Sequence, residues 1–199
     1  MSEPDVIVVG GGLGGVIAAL SAAATDESAD VRLVVPRDQP FRNHAGLIDG
    51  LGYTDDASEP IARPLEAART LPDTHPLGRV GGDAFERGLG LFDRATAGTY
   101  AGAHSATNAL IPTGLGGFRP AIRYPETVEP GVLSRSGSAT IVGFDHLADF
   151  DAFHAVKRLE SLDVPFDLDA IQVSLDVDPG AEAPAMHLAR VLDANEELD

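Results

Sequence analysis

The stretch "DVIVVGGGLGGVIAALSAAA", Asp5 to Ala24, decides how this chain is read. From Val6 to Ala24 it carries no charge, and roughly 18 or more such residues can form a membrane-spanning helix. Its Ser-Ala-Ala-Ala ending also imitates the small-residue cleavage site of a secretory signal. The flanks argue against export. A signal peptide opens with positive charge, and here Ser2, Glu3, Pro4 and Asp5 precede the run. Its glycines argue against a spanning helix, since each costs roughly 1 kcal/mol relative to alanine in a helix interior.

Read as strand, turn and helix, the same residues each have a task. Val6, Ile7, Val8 and Val9 make a β-branched strand of the kind that parallel sheets bury on both faces. Gly10, Gly12 and Gly15 match G-x-G-x-x-G. The first permits a tight turn, the second lets backbone approach a pyrophosphate, and the third lets the helix pack on the strand. Gly11, Leu13 and Gly14 complete the candidate cofactor-binding segment. Val16, Ile17, Ala19, Leu20 and Ala23 continue as a helix whose amino end faces the anion. A second strand, Val31 to Val35, completes a βαβ unit. The run is therefore expected to hold a nucleotide.

One residue departs from that pattern. About 20 residues beyond the glycines a carboxylate ordinarily holds the ribose hydroxyls. Val35 stands there, followed by Pro36 and Arg37, with Asp38 the nearest acid. Three explanations are open: a 2′-phosphate bound by Arg37, a cofactor without an adenosine ribose such as FMN, or a weakened site.

Composition narrows the function classes. The net charge is −17 and Lys157 is the single lysine. So acidic a surface repels nucleic acid and anionic lipid, which excludes nucleic acid as an expected partner. It suits a salt-rich cytoplasm, where screening removes self-repulsion, and so hints at a halophilic source. With no cysteine, disulfides, thiolate metal sites and iron–sulfur ligation are impossible within this chain. The six histidines show no close metal-ligand spacing, so no metal site is expected. No G-x-S-x-G elbow or Walker loop occurs. No other long apolar run is present, which predicts a soluble chain.

Beyond the βαβ unit of residues 1–38, residues 39–199 read as a loop-rich α/β remainder. From Pro36 to about Arg79 the sequence is rich in proline and glycine. Within it the glycines of "FRNHAGLIDGLGY" would let backbone lie against a flat ring. Asp83–Thr96 reads as a helix with Phe85, Leu89 and Phe92 on one face. "GGFRPAIRYPETV" is expected to be extended, with Pro120 and Pro125 breaking helix. Ala139–Phe144 reads as a buried strand, Phe150–Leu162 as a helix, Ile171–Val177 as an alternating strand and Ala185–Leu198 as a final helix.

Several stretches together carry a family resemblance: "VVGGGLGG", "HAGLIDGLGY", "HPLGRVG", "GLGLFDRATAGTYAG", "NALIPTGLGGFRPAIRYPETV", "IVGFDHLADFDA" and "VPFDL". In this order and spacing the chain resembles the amino-terminal half of the B component of the anaerobic glycerol-3-phosphate dehydrogenase complex, in its haloarchaeal form. The resemblance runs over nearly the whole chain. It implies a Rossmann-like FAD/NAD(P)-binding fold with inserted segments, truncated relative to a family about twice as long. It implies a flavoprotein, with FMN as cofactor and FAD as the alternative. It implies a dehydrogenase (quinone) subunit that takes part in oxidising sn-glycerol 3-phosphate to dihydroxyacetone phosphate. Without the remaining half, the chain by itself is expected to bind flavin poorly and to be inactive. The implied partners are the catalytic A component and a membrane-bound iron–sulfur C component that passes electrons to the quinone pool. The implied place is cytoplasmic, held at the inner face of the cell membrane through a partner. Relative to the family, His44 stands where serine or alanine is more usual.

Oxidising a secondary alcohol with a flavin requires a hydride acceptor, a base for the hydroxyl proton and a cation for the substrate phosphate. Arg42, Arg119 and Arg123 are the phosphate candidates, because a planar guanidinium fork matches phosphate oxygens. His44 and His104 are the candidate bases. The absence of a compelling acid/base constellation leaves a rival reading, a non-catalytic electron-transfer or scaffold subunit. A third reading is a pyridine-nucleotide-binding Rossmann oxidoreductase. The charge yields a direct expectation. A chain at −17 repels itself until screened, so its thermal midpoint rises between low and molar salt, and a flat or falling midpoint in calorimetry rejects this.

Overall fold

The computed structural model describes residues 3–36, 46–54, 58–145, 147 and 149–174. In chain order the elements are β1 (Val6–Val9), α1 (Leu13–Thr25), β2 (Val31–Val34), α2 (Pro64–Ala68), α3 (Pro76–Val80), α4 (Gly82–Ala95), β3 (Tyr100–Ala101), β4 (Ala109–Pro112), β5 (Phe118–Ala121), β6 (Tyr124–Pro125), β7 (Gly137–Phe144), α5 (Ala152–Glu160) and β8 (Phe166–Val173). A 3₁₀ turn, Glu126–Gly131, precedes β7. Two compact units result. The first takes in the described residues up to Asn108 together with Ala121–Glu129; the second takes in Ala109–Pro120 and those from Pro130 onward.

The first unit begins with the expected βαβ arrangement. β1 and β2 pair in parallel, from Val6 opposite Val31 to Val9 opposite Val34. The chain returns from α1 through a turn in which both the backbone N–H and the hydroxyl of Ser28 donate to Asp26. Those bonds hold the Asp26 carboxyl below its ordinary range. Contrary to expectation, β1 is not buried on both faces. Ile7, Val9 and Val34 are 58%, 78% and 50% exposed. Residues alternate across a strand, and one crossover helix covers only one face of a two-stranded pair. Among the described residues nothing covers the other.

The core of this unit lies farther along the chain. α4 follows the expected pattern, with Leu89 and Phe92 buried and Asp83 in its first turn. Phe92 meets Tyr100 edge to face at 4.8 Å, a geometry that aromatic quadrupoles favour. Leu51, Ala68, Ile122 and Tyr124 of the same unit are buried as well. The Pro36–Arg79 stretch, read as loop, contains α2 and α3 where it is described. Each has five residues with proline at its start. Proline breaks a helix interior but suits its first position, so it marked beginnings there. His75 caps α3, its Nδ1 accepting from the Leu77 N–H at 3.1 Å.

Arg123 is the charged residue of this core, 5% exposed. Its Nε and Nη2 donate to the Asp93 carboxylate on α4 at 2.6 and 2.9 Å. Its Nη1 donates to the carbonyls of Ile122 and Ser105. Its own backbone pairs with Ile48, so one residue joins α4, the turn after β3 and the 46–50 stretch.

The second unit is another βαβ arrangement that the sequence reading did not identify. β7 and β8 pair in parallel over eight residues each, joined through α5. α5 starts on Asp151, whose carboxylate accepts from the His154 N–H at 2.9 Å. It buries Ala152, Ala155, Val156 and Leu159. The strand expected at Ile171–Val177 runs instead from Phe166 to Val173. β8 alternates Phe166, Leu168 and Ala170 with exposed Asp167 and Asp169, and those carboxylates masked the period. β7 was expected to be buried, yet Thr140 and Val142 lie on an open face. The turn Thr113–Gly117 joins β4 to β5. Residues 175–177 and the expected helix Ala185–Leu198 lie outside the described residues.

Removing one partner of a buried ion pair leaves an uncompensated charge, at about 3–5 kcal/mol. Arg123→Ala is therefore expected to destabilise the chain by about 3 kcal/mol or more in denaturant titration, with Asp93→Asn milder because that carboxylate is partly exposed. A loss under about 1 kcal/mol for Arg123→Ala contradicts this role.

Candidate nucleotide site

Gly10 takes φ +119, a conformation that side chains rarely adopt. Its N–H donates to the Val34 carbonyl at 2.9 Å, which closes the turn at the carboxyl end of the strand pair. Gly12 is the N-cap of α1 in extended backbone, and its carbonyl accepts from the Val16 N–H at 3.1 Å. No side chain caps α1, and its first turn has no acidic residue. The first N–H groups of a helix have no intrahelical partner and carry the positive end of the macrodipole. Those of Leu13, Gly14 and Gly15 are thus donors suited to an anion.

The glycines differ in what they permit. A Cβ on Gly15 would run into the Gly10 carbonyl oxygen, so that glycine sets the approach of α1 to the strand end. A Cβ on Gly11 would meet the γ-methyls of Val35. Gly14 has no heavy atom within 4 Å of the corresponding point. Backbone donors with no side chain in their way fit a pyrophosphate cradle.

Arg42 and His44 lie outside the described residues, as do Arg37 and Asp38. His104 is exposed in the turn after β3. Arg119 is exposed on β5 and belongs to the second unit, whereas Arg123 belongs to the first. The three donating nitrogens of Arg123 are held by Asp93 and two carbonyls. The 46–54 stretch, expected against a ring, packs on the protein. Ile48 pairs with Arg123, and Cβ atoms on Gly46 and Gly50 would meet Pro125 and Phe85.

Asn108 was not singled out from the sequence. Its side-chain amide donates to the carbonyls of Leu51 and Ile61 at 2.9 and 2.8 Å, which fixes the far end of that stretch. The only hint was a lone amide ahead of an apolar strand. Among the described residues no group of three or more His, Asp or Glu could hold a metal ion. No helix there is long and apolar enough to cross a membrane; α1 ends after 13 residues.

Residues 5–195 match the FAD binding domain family. The chain belongs to that family. Its α/β fold, with a glycine turn between the first strand and helix, accords with that membership. The cofactor class is accordingly flavin. FAD, the alternative expected from sequence, is the direct match, and the first-named FMN gains no support. The chain is also 42% identical over 196 residues to the probable B component of the anaerobic glycerol-3-phosphate dehydrogenase of two Halobacterium salinarum strains. The match covers 98% of this chain and 45% of each relative, so the chain spans a little under half their length. No solved structure matches.

Two substitutions separate turn geometry from glycine content. Gly15→Ala must push α1 off the strand end, at about 1–3 kcal/mol, and should abolish flavin retention. Gly14→Ala meets nothing and gains up to about 1 kcal/mol of helix propensity. Thermal melts and flavin titration are expected to rank them in that order; equal behaviour contradicts the packing role of Gly15.

Proposed function

We propose that this chain is part of a flavin-dependent glycerol-3-phosphate dehydrogenase subunit that holds FAD through the Gly10–Gly15 turn. The observation that carries this reading is the uncapped amino end of α1 at that turn, free of acidic residues in a chain of net charge −17. Family membership supports FAD as that anion, and the similarity to the B components of two relatives supports glycerol-3-phosphate oxidation as the reaction. Bound flavin would accept the electrons of alcohol oxidation. The chain's own residues would do the holding. N–H groups of Leu13, Gly14 and Gly15 would bind the pyrophosphate, Gly10 would keep the turn tight, and Val35 would cover Gly11.

The substrate of this reading is sn-glycerol 3-phosphate and its product dihydroxyacetone phosphate. Arg42 and Arg119 remain the phosphate candidates and His44 and His104 the candidate bases. Arg123 serves chiefly as the internal tie between α4 and the 46–50 stretch. The partners are the catalytic A component and the membrane-bound iron–sulfur C component, which carries electrons to the quinone pool and keeps the assembly at the inner membrane face. One observation favours the second reading, an electron-transfer or scaffold role. The single buried cation among the described residues is already bound by Asp93 and carbonyls, which leaves no preformed phosphate clamp there.

Anaerobic titration tests the proposal. FAD added to the purified chain in molar salt should bind weakly, and should bind tightly, with the spectral shift of a bound flavin, once the region corresponding to the rest of the Halobacterium relative is supplied. Glycerol 3-phosphate should leave it oxidised until the region corresponding to the rest of the Halobacterium relative is supplied, and should bleach it afterwards. Bleaching by the chain alone contradicts the inactivity expected of it. A bound flavin that no combination bleaches favours the relay reading. No flavin binding in any combination rejects the site.

A further inference from the structure

The structure puts a specific group where the ribose carboxylate is ordinarily found. Gly10 bonds to the Val34 carbonyl, so Val35 is the first residue beyond the paired strands and stands beside the glycine turn. Its γ-methyls lie against the Cα of Gly11, in the space that a Cβ there would need. Val35 is 40% exposed and therefore open to a ligand.

Acids described in this βαβ unit gather at its opposite end. Asp5 and Asp30 bracket the amino ends of the strands, the Asp30 N–H donating to the Asp5 carboxylate and the Asp5 N–H to the Asp30 carbonyl. Four residues at about 3.3 Å each separate that end from the turn, roughly 13 Å. Asp26 and Glu27 follow α1, and no charged residue lies between Val6 and Ala24. Among the described residues of the unit, the carboxyl ends of β1 and β2 thus present methyl groups and backbone donors, with no carboxylate for a ribose hydroxyl.

We infer that Val35 is a specificity-determining residue of the flavin site. Its methyls cover the adenosine ribose without a hydrogen bond to its 2′-hydroxyl, and the dinucleotide is held through its pyrophosphate. The inference rests on the reading that the glycine turn holds FAD. A site built to hydrogen-bond a hydroxyl rejects the analogue that lacks it, because its own polar group is left unpaired. A methyl-lined site has no such group to strand. A charge-assisted hydrogen bond to a carboxylate corresponds to roughly tenfold to a hundredfold in affinity.

The test compares FAD with its 2′-deoxyadenosine analogue by equilibrium titration of the purified chain in molar salt, with the region corresponding to the rest of the Halobacterium relative supplied. The native chain is expected to bind the two within about threefold of each other, below the margin of a charged hydrogen bond. Val35→Glu, which restores a carboxylate, should come to prefer FAD by roughly tenfold. A native preference for FAD of about tenfold or more overturns the inference while leaving the flavin site standing. A folded Val35→Glu chain with no preference also overturns it, since the ribose then lies elsewhere. If neither protein binds FAD, the flavin site itself falls and the inference with it. The native comparison needs no variant, so it decides even where Val35→Glu fails to fold.

Discussion

The close approach of α1 to the end of β1 is the constraint on which the first unit depends. The Gly10 carbonyl occupies the place where any side chain at Gly15 would begin. Helix and strand can therefore meet only with glycine there. The Gly10 N–H makes the last bond of the parallel pair, to the Val34 carbonyl, and φ +119 then turns the chain out of the strand. That bond ties the turn to the second strand. From these two contacts follow the extended N-cap at Gly12, the uncapped donors of the first helical turn and the position of Val35. A nucleotide site of this kind is made of backbone, and its side chains matter mainly by their absence.

The remainder of the first unit rests on a different device. Arg123 is held from one side by the Asp93 carboxylate and from the other by two backbone carbonyls. A guanidinium buried to this degree is stable only because its donors are occupied; an unpaired one would cost several kcal/mol. Asn108 does the same for a neighbouring segment, with neutral bonds to Leu51 and Ile61. Both side chains fasten a stretch whose positive-φ glycines, Gly46 and Gly50, make it intrinsically loose. Polar residues here stabilise a segment that hydrophobic burial alone would leave undefined.

The βαβ unit was legible because its signals are local. β-branched residues, a glycine spacing and an uncharged helix sit within 30 residues, and each acts on its neighbours. α4 and α5 were legible through their 3.6-residue apolar period, to within a residue or two at each end. The pairing of β7 with β8 was not, because nothing in "FDLDAIQV" declares a partner and its aspartates interrupt the apolar run. α2 and α3 were missed for a related reason: proline at the start of five residues reads as a break unless the cap is seen. In the candidate site, the turn glycines were visible in sequence. The engagement of Arg123 was not, since it depends on Asp93, 30 residues away.

The acidity of the chain acts on the site at two ranges. At long range a net −17 opposes any dinucleotide or phosphorylated substrate, and salt relieves that opposition because the screening length falls from about 10 Å at 0.1 M to about 3 Å at 1 M. At short range the N–H groups of α1 touch their anion directly, and screening acts little over a single hydrogen bond. Among the described residues of the unit, Asp5, Asp26, Glu27 and Asp30 lie at the end away from the turn. Net acidity and anion binding are thereby compatible: these carboxylates lie beyond one screening length at high salt, while the attractive donors lie in contact. The same separation explains why an apolar Val35 suits this turn. Val35 adds no negative charge beside the anion, whereas a carboxylate there would act within the short range that salt leaves unscreened.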